Sequence, residues 1–238
     1  MKILAIGDLV GENGLAKLKK DLDNIQEAEN IDFTIVNAEN VAGGMGITIK
    51  IFQELKNMDI DVLTMGNHTW GKKDIFSFID DPMLVRPANY SKGVPGHGYT
   101  ILTKNSKTIC VINLIGRTDM GVLSENPFTV VDNILKKVSA DIFIVDFHAE
   151  ASAEKIAMGY YLNGRVNAVY GTAYITDIGM TGPRKSVIGM DVDASLKRFV
   201  TSLPERYKLA TGDCKLNGVV FEINDENCRT EKVYRINI

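Results

Sequence analysis

The sequence predicts an α/β protein built around a parallel β-sheet with helices on its faces. Three times before Pro82, an apolar run of strand length is followed by a polar loop and then by a helical pattern. This order is typical of parallel strands joined by crossover helices. Later apolar runs and an alternating pair near the carboxyl end indicate a second sheet. No linker, internal repeat or low-complexity tract interrupts the chain, so we expect one domain spanning residues 1–238.

The first half of the chain supplies the repeated units. The apolar runs predict strands at 2–6, 33–36 and 62–65. Leucine and isoleucine at helical spacing predict a helix over 15–25, and Thr48 is placed to cap a helix that runs to about residue 58. A third helix is expected over 74–79.

The second half contains more strands than helices. We expect a terminal hairpin from the alternation at 216–223 and 232–236. The other predicted strands are 99–102, 108–113, 141–145, 166–170 and 174–176. The predicted helices are 127–138, 152–160 and 191–199. The helix over 152–160 is expected to turn its alanines and methionine inwards.

The composition is that of a globular cytoplasmic protein. Hydrophobic residues make up 45% of the chain and charged residues 24%, and the net charge is -3. This charge does not indicate a general nucleic-acid surface. Cys110, Cys214 and Cys228 are far apart and form no CxxC, which favours reduced thiols over a zinc knuckle or disulfides. No run is long enough for a signal peptide or a membrane helix.

The most informative stretch runs from residue 61 to residue 70. Its apolar run ends abruptly in Gly66-Asn67-His68. Glycine permits either a positive φ angle or a close approach of backbone to a ligand. The asparagine offers a neutral oxygen ligand, and the histidine offers an imidazole that can gain or lose a proton.

Polar side chains follow four of the predicted strands in this way. They are Asp8, Glu39 with Asn40, Asn67 with His68, and His148. Because strand ends of a parallel sheet share one edge, these residues are expected to converge. Carboxylates, amide oxygens and an imidazole together suit Mn, Fe or Zn. A carboxylate such as Glu39 can also bridge two metals about 3.5–4 Å apart.

Each of these residues has a structural alternative. Asp8 and Glu39 could cap the helices that follow them, and Asn40 could shape a turn. His148 could be a hydrogen-bonded core histidine. Capping does not explain a histidine or an Asn-His pair at strand ends, so the four ends together favour a metal site.

Other candidates are weaker. The glycines at 43–46 and 7–14 fit neither a phosphate-binding loop nor a dinucleotide fingerprint, and they are interpreted as turns near the site. His97 is expected in a surface loop. Arg117 could contact a phosphate, although a surface salt bridge is the simpler expectation. Ser152 is interpreted as a helix cap, and Lys72 with Lys73 as the solvated start of a helix.

The combined residues resemble the bacterial YmdB-type metallophosphoesterases of the calcineurin-like superfamily. The resemblance covers nearly the whole chain. It rests on Ile6-Gly7-Asp8-Leu9-Val10-Gly11, Asn37-Ala38-Glu39-Asn40, Met65-Gly66-Asn67-His68-Thr69-Trp70, Val85-Arg86-Pro87-Ala88-Asn89 and Asp146-Phe147-His148-Ala149-Glu150, and on the segments 172–177 and 189–191.

The resemblance implies a four-layer α/β/β/α sandwich with a dinuclear metal site, often of iron, with manganese or zinc as alternatives. It implies phosphodiesterase activity on small cyclic nucleotides of the 2′,3′-cyclic type. Asp8, Glu39 and Asn40 would hold one metal. Glu39, Asn67 and His148 would hold the other, with Glu39 bridging the two, and His68 matches the family's proton-donating histidine.

One departure from the family pattern affects the metal site. The family carries a Gly-Thr-His-Thr-His segment whose two histidines complete the site, followed by a loop and a second Gly-Thr. Here Tyr170-Gly171 runs directly into Thr172-Ala173, and the chain has three histidines in all, so no displaced pair exists. Two explanations stay open: a deletion in this protein, or omission of the segment from this chain. With the pair absent, we expect one tightly bound metal at most.

Two functional hypotheses follow. The first is a metal-dependent phosphodiesterase, in which His68 protonates the leaving ribose oxygen. The second is a non-catalytic nucleotide-binding or regulatory relative that keeps the fold without a complete site. The expected partner is a small cyclic nucleotide. RNA is not indicated by the charge, a membrane is not expected, and the sequence predicts no oligomeric state.

Overall fold

Two β-sheets packed face to face form the centre of the computed structural model, which describes residues 1–171, 178–201, 206 and 208–238. The larger sheet has six strands in the order β12-β11-β1-β2-β3-β4. Strands β1 to β4 are parallel, and β11 joins β1 in antiparallel fashion. These strands are β1 (Lys2–Ile6), β2 (Phe33–Asn37), β3 (Val62–Thr64), β4 (Leu84–Val85), β11 (Asn217–Ile223) and β12 (Thr230–Asn237).

The second sheet has four strands in the order β5-β6-β7-β8. Strands β6, β7 and β8 are parallel, whereas β5 and β6 form a hairpin. The strands are β5 (Tyr99–Lys104), β6 (Lys107–Ile115), β7 (Ile142–His148) and β8 (Ala168–Tyr170). A separate pair, β9 (Gly182–Pro183) and β10 (Cys214–Lys215), lies beside the larger sheet's first helix.

Four helices cover the outer faces of the two sheets: α1 (Gly11–Glu29), α2 (Ile49–Lys56), α3 (Pro127–Lys137) and α4 (Ser152–Leu162). A further helix, α5 (Val192–Thr201), has no buried residue. Within the described residues, no helix has the length and apolar content that a bilayer crossing requires.

Alternation along each strand produces three apolar layers. Ile3 and Ala5 of β1 face the second sheet and pack near Val111 and Ile144, while Leu4 on the opposite face belongs to the layer beneath α1 and α2. A third layer joins the second sheet to α3 and α4. The layers therefore run α/β/β/α, and the predicted four-layer sandwich is confirmed.

Most predicted elements are present, with three corrections. The helix expected at 74–79 is a single 3₁₀ turn, Lys73–Ser77, in which the Phe78 N–H donates to the Ile75 carbonyl. A segment this short closes with the tighter i→i+3 bond. Ala153 and Ala157 of α4 are exposed, because Lys155, Met158 and Leu162 occupy the inner face.

The third correction concerns the site. Strand β7 continues to His148, three residues beyond its predicted end, because it stays paired with β6 up to Ile115↔His148. The strand predicted at 174–176 lies outside the described residues. The terminal hairpin and the helix over 191–199 are confirmed, as is the Thr48 cap, which accepts from the Ile51 N–H.

Candidate metal centre and active-site cleft

Four strand ends converge where the two sheets meet. Asp8 follows β1, Glu39 and Asn40 follow β2, and Asn67 and His68 follow β3. His148 is the last residue of β7 and so comes from the second sheet. The prediction that all four strand ends lie at the edge of one sheet is therefore wrong for His148. Face-to-face packing brings His148 over the ends of the larger sheet.

The side chains from the two sheets are in direct contact. Glu39 Oε1 lies 3.0 Å from His148 Nε2, which is also 3.0 Å from Asn67 Oδ1. Ligand atoms of Asp8, Glu39 and His148 all lie within 4.8 Å of one another. Carboxylate oxygens and an imidazole this close together form a pocket of donors suited to a cation.

Asn40 reaches the same cluster but does not present its oxygen to it. Its Nδ2 donates to Asp8 Oδ2 at 3.2 Å and to Glu39 Oε1 at 3.1 Å. Its Oδ1 accepts from His68 Nδ1 at 2.7 Å. As a metal ligand Asn40 would have to turn its amide over, so that Oδ1 replaced Nδ2.

His68 lies at the rim of the cluster. Its side chain is 34% exposed, against 8% for His148. Its backbone N–H donates to Glu39 Oε2 at 3.1 Å, which fixes the loop to the carboxylate. Its Nε2 is 3.3 Å from Asn67 Nδ2. A partly exposed imidazole at the rim, oriented by the amides of Asn40 and Asn67, suits proton transfer better than metal ligation.

Burial and mutual charge shift the acidities of the cluster. Burial, together with the nearby charges of Glu39 and Asp146, raises the pKa of Asp8 to about 7. Burial acts in the same direction on Glu39, but the charge and hydrogen bond of His148 and the contact with His68 hold the pKa of Glu39 well below its usual range. Burial alone would lower the pKa of His148, yet Glu39 and Asp8 raise it. The pKa of His68 is raised by its contact with Glu39.

These observations fit a metal ion. Asp8 Oδ1 is buried and has no hydrogen-bond partner among the described residues. A buried carboxylate oxygen without a donor is costly unless a cation satisfies it. The cluster of Asp8, Glu39 and His148 offers two carboxylates and one imidazole to such an ion.

Gly66 is required at this site for space. A Cβ on Gly66 would lie 2.2 Å from Glu39 Oε2 and 2.5 Å from His148 Cδ2. Any side chain here would push the two ligands apart. The Gly66 carbonyl accepts from Tyr90 Oη at 2.9 Å, which holds the loop in place.

The helix-capping alternatives are wrong for the acidic residues. Helix α1 starts after Val10 with no side-chain cap, and Thr48 caps α2, so neither Asp8 nor Glu39 serves as a cap.

Ser152 is not a cap either, because Ala151 holds that position and Ser152 is exposed in the first turn of α4. The alternative for His148 is correct only in part: it is buried and hydrogen-bonded, but its partners are the cluster itself.

Sequence reasoning missed a buried carboxyl group and most of a cleft. Asp146 is fully buried two residues before His148, and burial raises its pKa to about 6. The cluster forms the floor of a cleft of about 530 Å³, with residues from 179–215 along one side.

His97 and Arg117 do not line this cleft. His97 is in an exposed loop as predicted, and Arg117 is exposed, with its backbone N–H bonded to Glu154.

Comparison with known proteins places this arrangement in a family. The family model described as YmdB-like protein matches residues 4–173 and 170–236. The chain belongs to this YmdB-like family. It is 44% identical over 255 aligned positions to a 2′,3′-cyclic-nucleotide 2′-phosphodiesterase of Bacillus subtilis, covering 99% of this chain and 96% of the relative.

Solved structures agree with this assignment. A structure described as a novel phosphatase from Mycoplasma pneumoniae has a TM-score of 0.95 and 33% identity, covering 100% of this chain and 93% of that one. A hypothetical protein from Thermus thermophilus has a TM-score of 0.94 and 31% identity, covering 100% and 99%. The fold is therefore that of the metallophosphoesterases, whose members use divalent metal ions.

The two stretches of the family match overlap at residues 170–173, where the family pattern predicted a missing segment. The Bacillus relative also aligns over 255 positions against 238 residues, so it has at least 17 positions that this chain lacks. Strand β8 ends at Tyr170 beside β7, with Tyr170 in register with Asp146. A segment inserted after Gly171 would therefore leave the second sheet at the carboxyl ends of its parallel strands, where His148 also lies.

Proposed function

We propose that this chain is a metal-dependent phosphodiesterase that hydrolyses 2′,3′-cyclic nucleotides in the cytoplasm. The observation that carries the proposal is the contact of Glu39 with His148 beside Asp8 and Asn67, on the floor of an open cleft. The name of the Bacillus relative supports the substrate class, and three free cysteines fit a reducing compartment.

In this proposal, Asp8, Glu39, Asn67 and His148 hold the metal. Asn40 joins them after its amide turns its oxygen inwards. Iron is the first expectation, with manganese or zinc as alternatives, since the set mixes carboxylate oxygens with one imidazole. When bound, the metal lowers the pKa of a water and neutralises charge on the phosphoryl oxygens. The chain holds one ion tightly, because only His148 supplies an imidazole to the floor.

His68 acts as the general acid. Its Nδ1 lies 2.7 Å from Asn40 Oδ1 and its Nε2 lies 3.3 Å from Asn67 Nδ2, so the two amides orient the ring that carries the transferred proton. Water adds to phosphorus and releases one proton to solvent, the bond from phosphorus to the 2′ oxygen breaks, and His68 protonates that oxygen and then regains a proton from solvent. The raised pKa keeps the imidazole protonated more often near neutral pH than an ordinary histidine. The products are a 2′-hydroxyl and a 3′-phosphomonoester.

The missing histidine pair limits this activity. Loss of groups that only support ligands typically reduces metal affinity or activity by about 10–100-fold, and losing two direct ligands should cost more. We therefore infer a slow enzyme. The same observation favours the second candidate, a nucleotide-binding relative that is not catalytic.

Hydrolysis of 2′,3′-cyclic AMP by three proteins separates these functions. The proteins are the 238-residue chain, its His68→Ala variant, and a variant with Gly-Thr-His-Thr-His inserted between Gly171 and Thr172. The proposal expects slow turnover by the unmodified chain and no turnover above background by His68→Ala. It expects faster turnover and more bound metal in the variant with the inserted segment. If all three bind the nucleotide without turnover, the binding protein is the correct interpretation. Fast hydrolysis by the unmodified chain with two bound metals would refute the limit set by the missing pair.

A further inference from the structure

The wall of the cleft differs in charge from its floor. Among the described residues, five cationic side chains line the cleft, and all come from the segment 184–215. They are Arg184, Arg198, Arg206, Lys208 and Lys215, and they are called the basic wall. In the part of the chain that the structure describes, Glu150 is the only lining carboxylate outside the metal-binding floor. A cleft lined by one sign of charge concentrates ligands of the opposite sign.

The basic wall is held by backbone pairing. The Arg184 N–H donates to the Asp213 carbonyl at 2.8 Å, and the Asp191 N–H donates to the Lys208 carbonyl at 2.9 Å. Strands β9 and β10 pair Lys215 with Gly182 in the same unit. This pairing places Arg184, Lys208 and Lys215 in one unit beside the metal-binding floor, and Arg198 and Arg206 line the same cleft.

Most of this positive charge is available to a ligand. Arg184 pairs with Asp213 through Nε alone, at 3.0 Å, and Lys208 lies 3.6 Å from Asp191. Neither aspartate lines the cleft. Among the described residues, no ion pair involves Arg198, Arg206 or Lys215.

Apolar side chains are interleaved with these cations. Phe199 is 75% exposed and Ile188 is 76% exposed, and both line the cleft. Phe199 is the neighbour of Arg198 on α5, a helix with no buried residues. An exposed aromatic ring among arginines and lysines is the arrangement on which single-stranded nucleic acids stack their bases while the cations follow the backbone.

A single cyclic nucleotide carries one phosphate, which the floor already takes. Five cations along one wall exceed what that substrate needs. We propose that the basic wall binds the preceding nucleotides of a longer strand, so that the substrate is a short single-stranded RNA ending in a 2′,3′-cyclic phosphate. The strand is RNA because this terminus requires a 2′-hydroxyl. The inference rests on the proposed function for the chemistry at the terminus, and the binding of the strand is separately measurable.

The test measures binding of a labelled RNA tetranucleotide that ends in a 3′-phosphate, by fluorescence anisotropy. Unlabelled 3′-AMP and inorganic tetraphosphate serve as competitors. The proteins are the unmodified chain, the wall variant Arg198→Gln/Arg206→Gln and the control Lys20→Gln/Lys137→Gln. The control removes the same charge from exposed positions away from the cleft.

We expect the tetranucleotide to bind at least tenfold more tightly than 3′-AMP. The wall variant should lose at least fivefold in affinity, and its salt slope should fall by about 1.4 for two lost phosphate contacts. The control should stay within twofold of the unmodified chain. A tetranucleotide no tighter than 3′-AMP, or equal losses in both variants, would overturn the inference. Equal competition by tetraphosphate would overturn the assignment to RNA, because the wall would then recognise charge alone.

The same proteins also separate this inference from the proposed function. Wall-dependent binding without hydrolysis of either the tetranucleotide cyclic phosphate or 2′,3′-cyclic AMP would support the RNA site and refute the phosphodiesterase. Where hydrolysis occurs, we compare kcat/KM for the tetranucleotide cyclic phosphate with kcat/KM for 2′,3′-cyclic AMP. The ratio of the first to the second should fall in the wall variant and stay unchanged in the control.

Discussion

The floor and the basic wall of the cleft are built in opposite ways. The floor consists of strand-end residues that contact one another across two sheets, and it contains buried carboxylates. The wall consists of four exposed cations on loops and on α5, together with the half-buried Lys215 of β10. A buried, coupled cluster suits chemistry because its geometry is fixed, whereas an exposed, charged surface suits recognition of a flexible strand.

This difference determines how each region should respond to change. Neighbouring groups in a hydrogen-bonded cluster are coupled, so one substitution on the floor should alter several others. Exposed cations act nearly independently and are screened by salt, so the effects of substitutions on the wall should be small, additive and sensitive to ionic strength. The following predictions test that contrast, from the largest effect to the smallest.

Glu39→Ala should have the largest effect. Glu39 contacts His148, Asn40 and the His68 backbone, so its loss removes a ligand and releases three neighbours. We expect metal affinity to fall by at least 100-fold, beyond the range of about 10–100 for lost supporting groups. Calorimetric titration with Mn²⁺ measures this. Glu27→Ala, an exposed carboxylate on α1, is the control. Unchanged affinity in Glu39→Ala would contradict the floor as a metal site.

His68→Ala should separate catalysis from metal binding. Loss of a general acid typically costs about 10²–10⁴-fold in rate, and His68 lies at the rim of the ligands. We expect metal content to be kept, while Asn67→Ala loses metal. Paired measurements of turnover and metal content check this. A loss of metal in His68→Ala equal to that in Asn67→Ala would make His68 a ligand.

Metal affinity should rise with pH. The metal requires Asp8 to be ionised and His148 to be neutral, but the pKa of Asp8 is raised to about 7 and that of His148 is also raised. Both groups therefore hold protons that the metal has to displace, and raising the pH weakens this competition. We expect roughly a 50-fold gain in affinity between pH 6 and pH 7, about fivefold from Asp8 and about tenfold from His148, whose pKa is raised to about 10. Binding of RNA to the wall should not follow this profile. A metal affinity that is the same at pH 6 and pH 7 would contradict this prediction, because Asp8 and His148 would then hold no proton for the metal to displace.

Tyr90→Phe should produce a smaller effect, on stability. It removes the hydrogen bond to the Gly66 carbonyl, for an expected loss of about 0.5–1.5 kcal/mol. Arg198→Gln on the wall should stay within about 0.5 kcal/mol of the unmodified chain, as exposed substitutions usually do. Urea denaturation of the metal-free proteins measures both. Equal losses of unfolding free energy in Tyr90→Phe and Arg198→Gln would contradict the distinction between a packed floor and an exposed wall.

The floor could be predicted from the sequence because strand ends have a local signature. An apolar run followed at once by Asp8, Glu39 or Asn67-His68 is visible without knowing the fold. Two features of the floor depend on packing and were not predicted. His148 reaches it from the other sheet, and the Asn40 amide orientation depends on Asp8, Glu39 and His68 together.

The wall could not be predicted in this way. Its cations are spread over 32 residues of irregular spacing, and the net charge of -3 conceals them. Backbone pairing between the two ends of the segment brings them together, and no periodicity encodes that pairing. The α/β/β/α layers were implied by the family resemblance and are confirmed, whereas the single domain over residues 1–238 stays a prediction.

The number of metal ions per chain tests the account most directly. Elemental analysis of the 238-residue protein, after loading with excess Mn²⁺ and removal of free ions, would give that number. The floor, with Asp8, Glu39, Asn67 and His148 but without a further histidine pair, predicts one ion per chain. Two ions would contradict the role given to the missing segment, and none would contradict the metal centre itself.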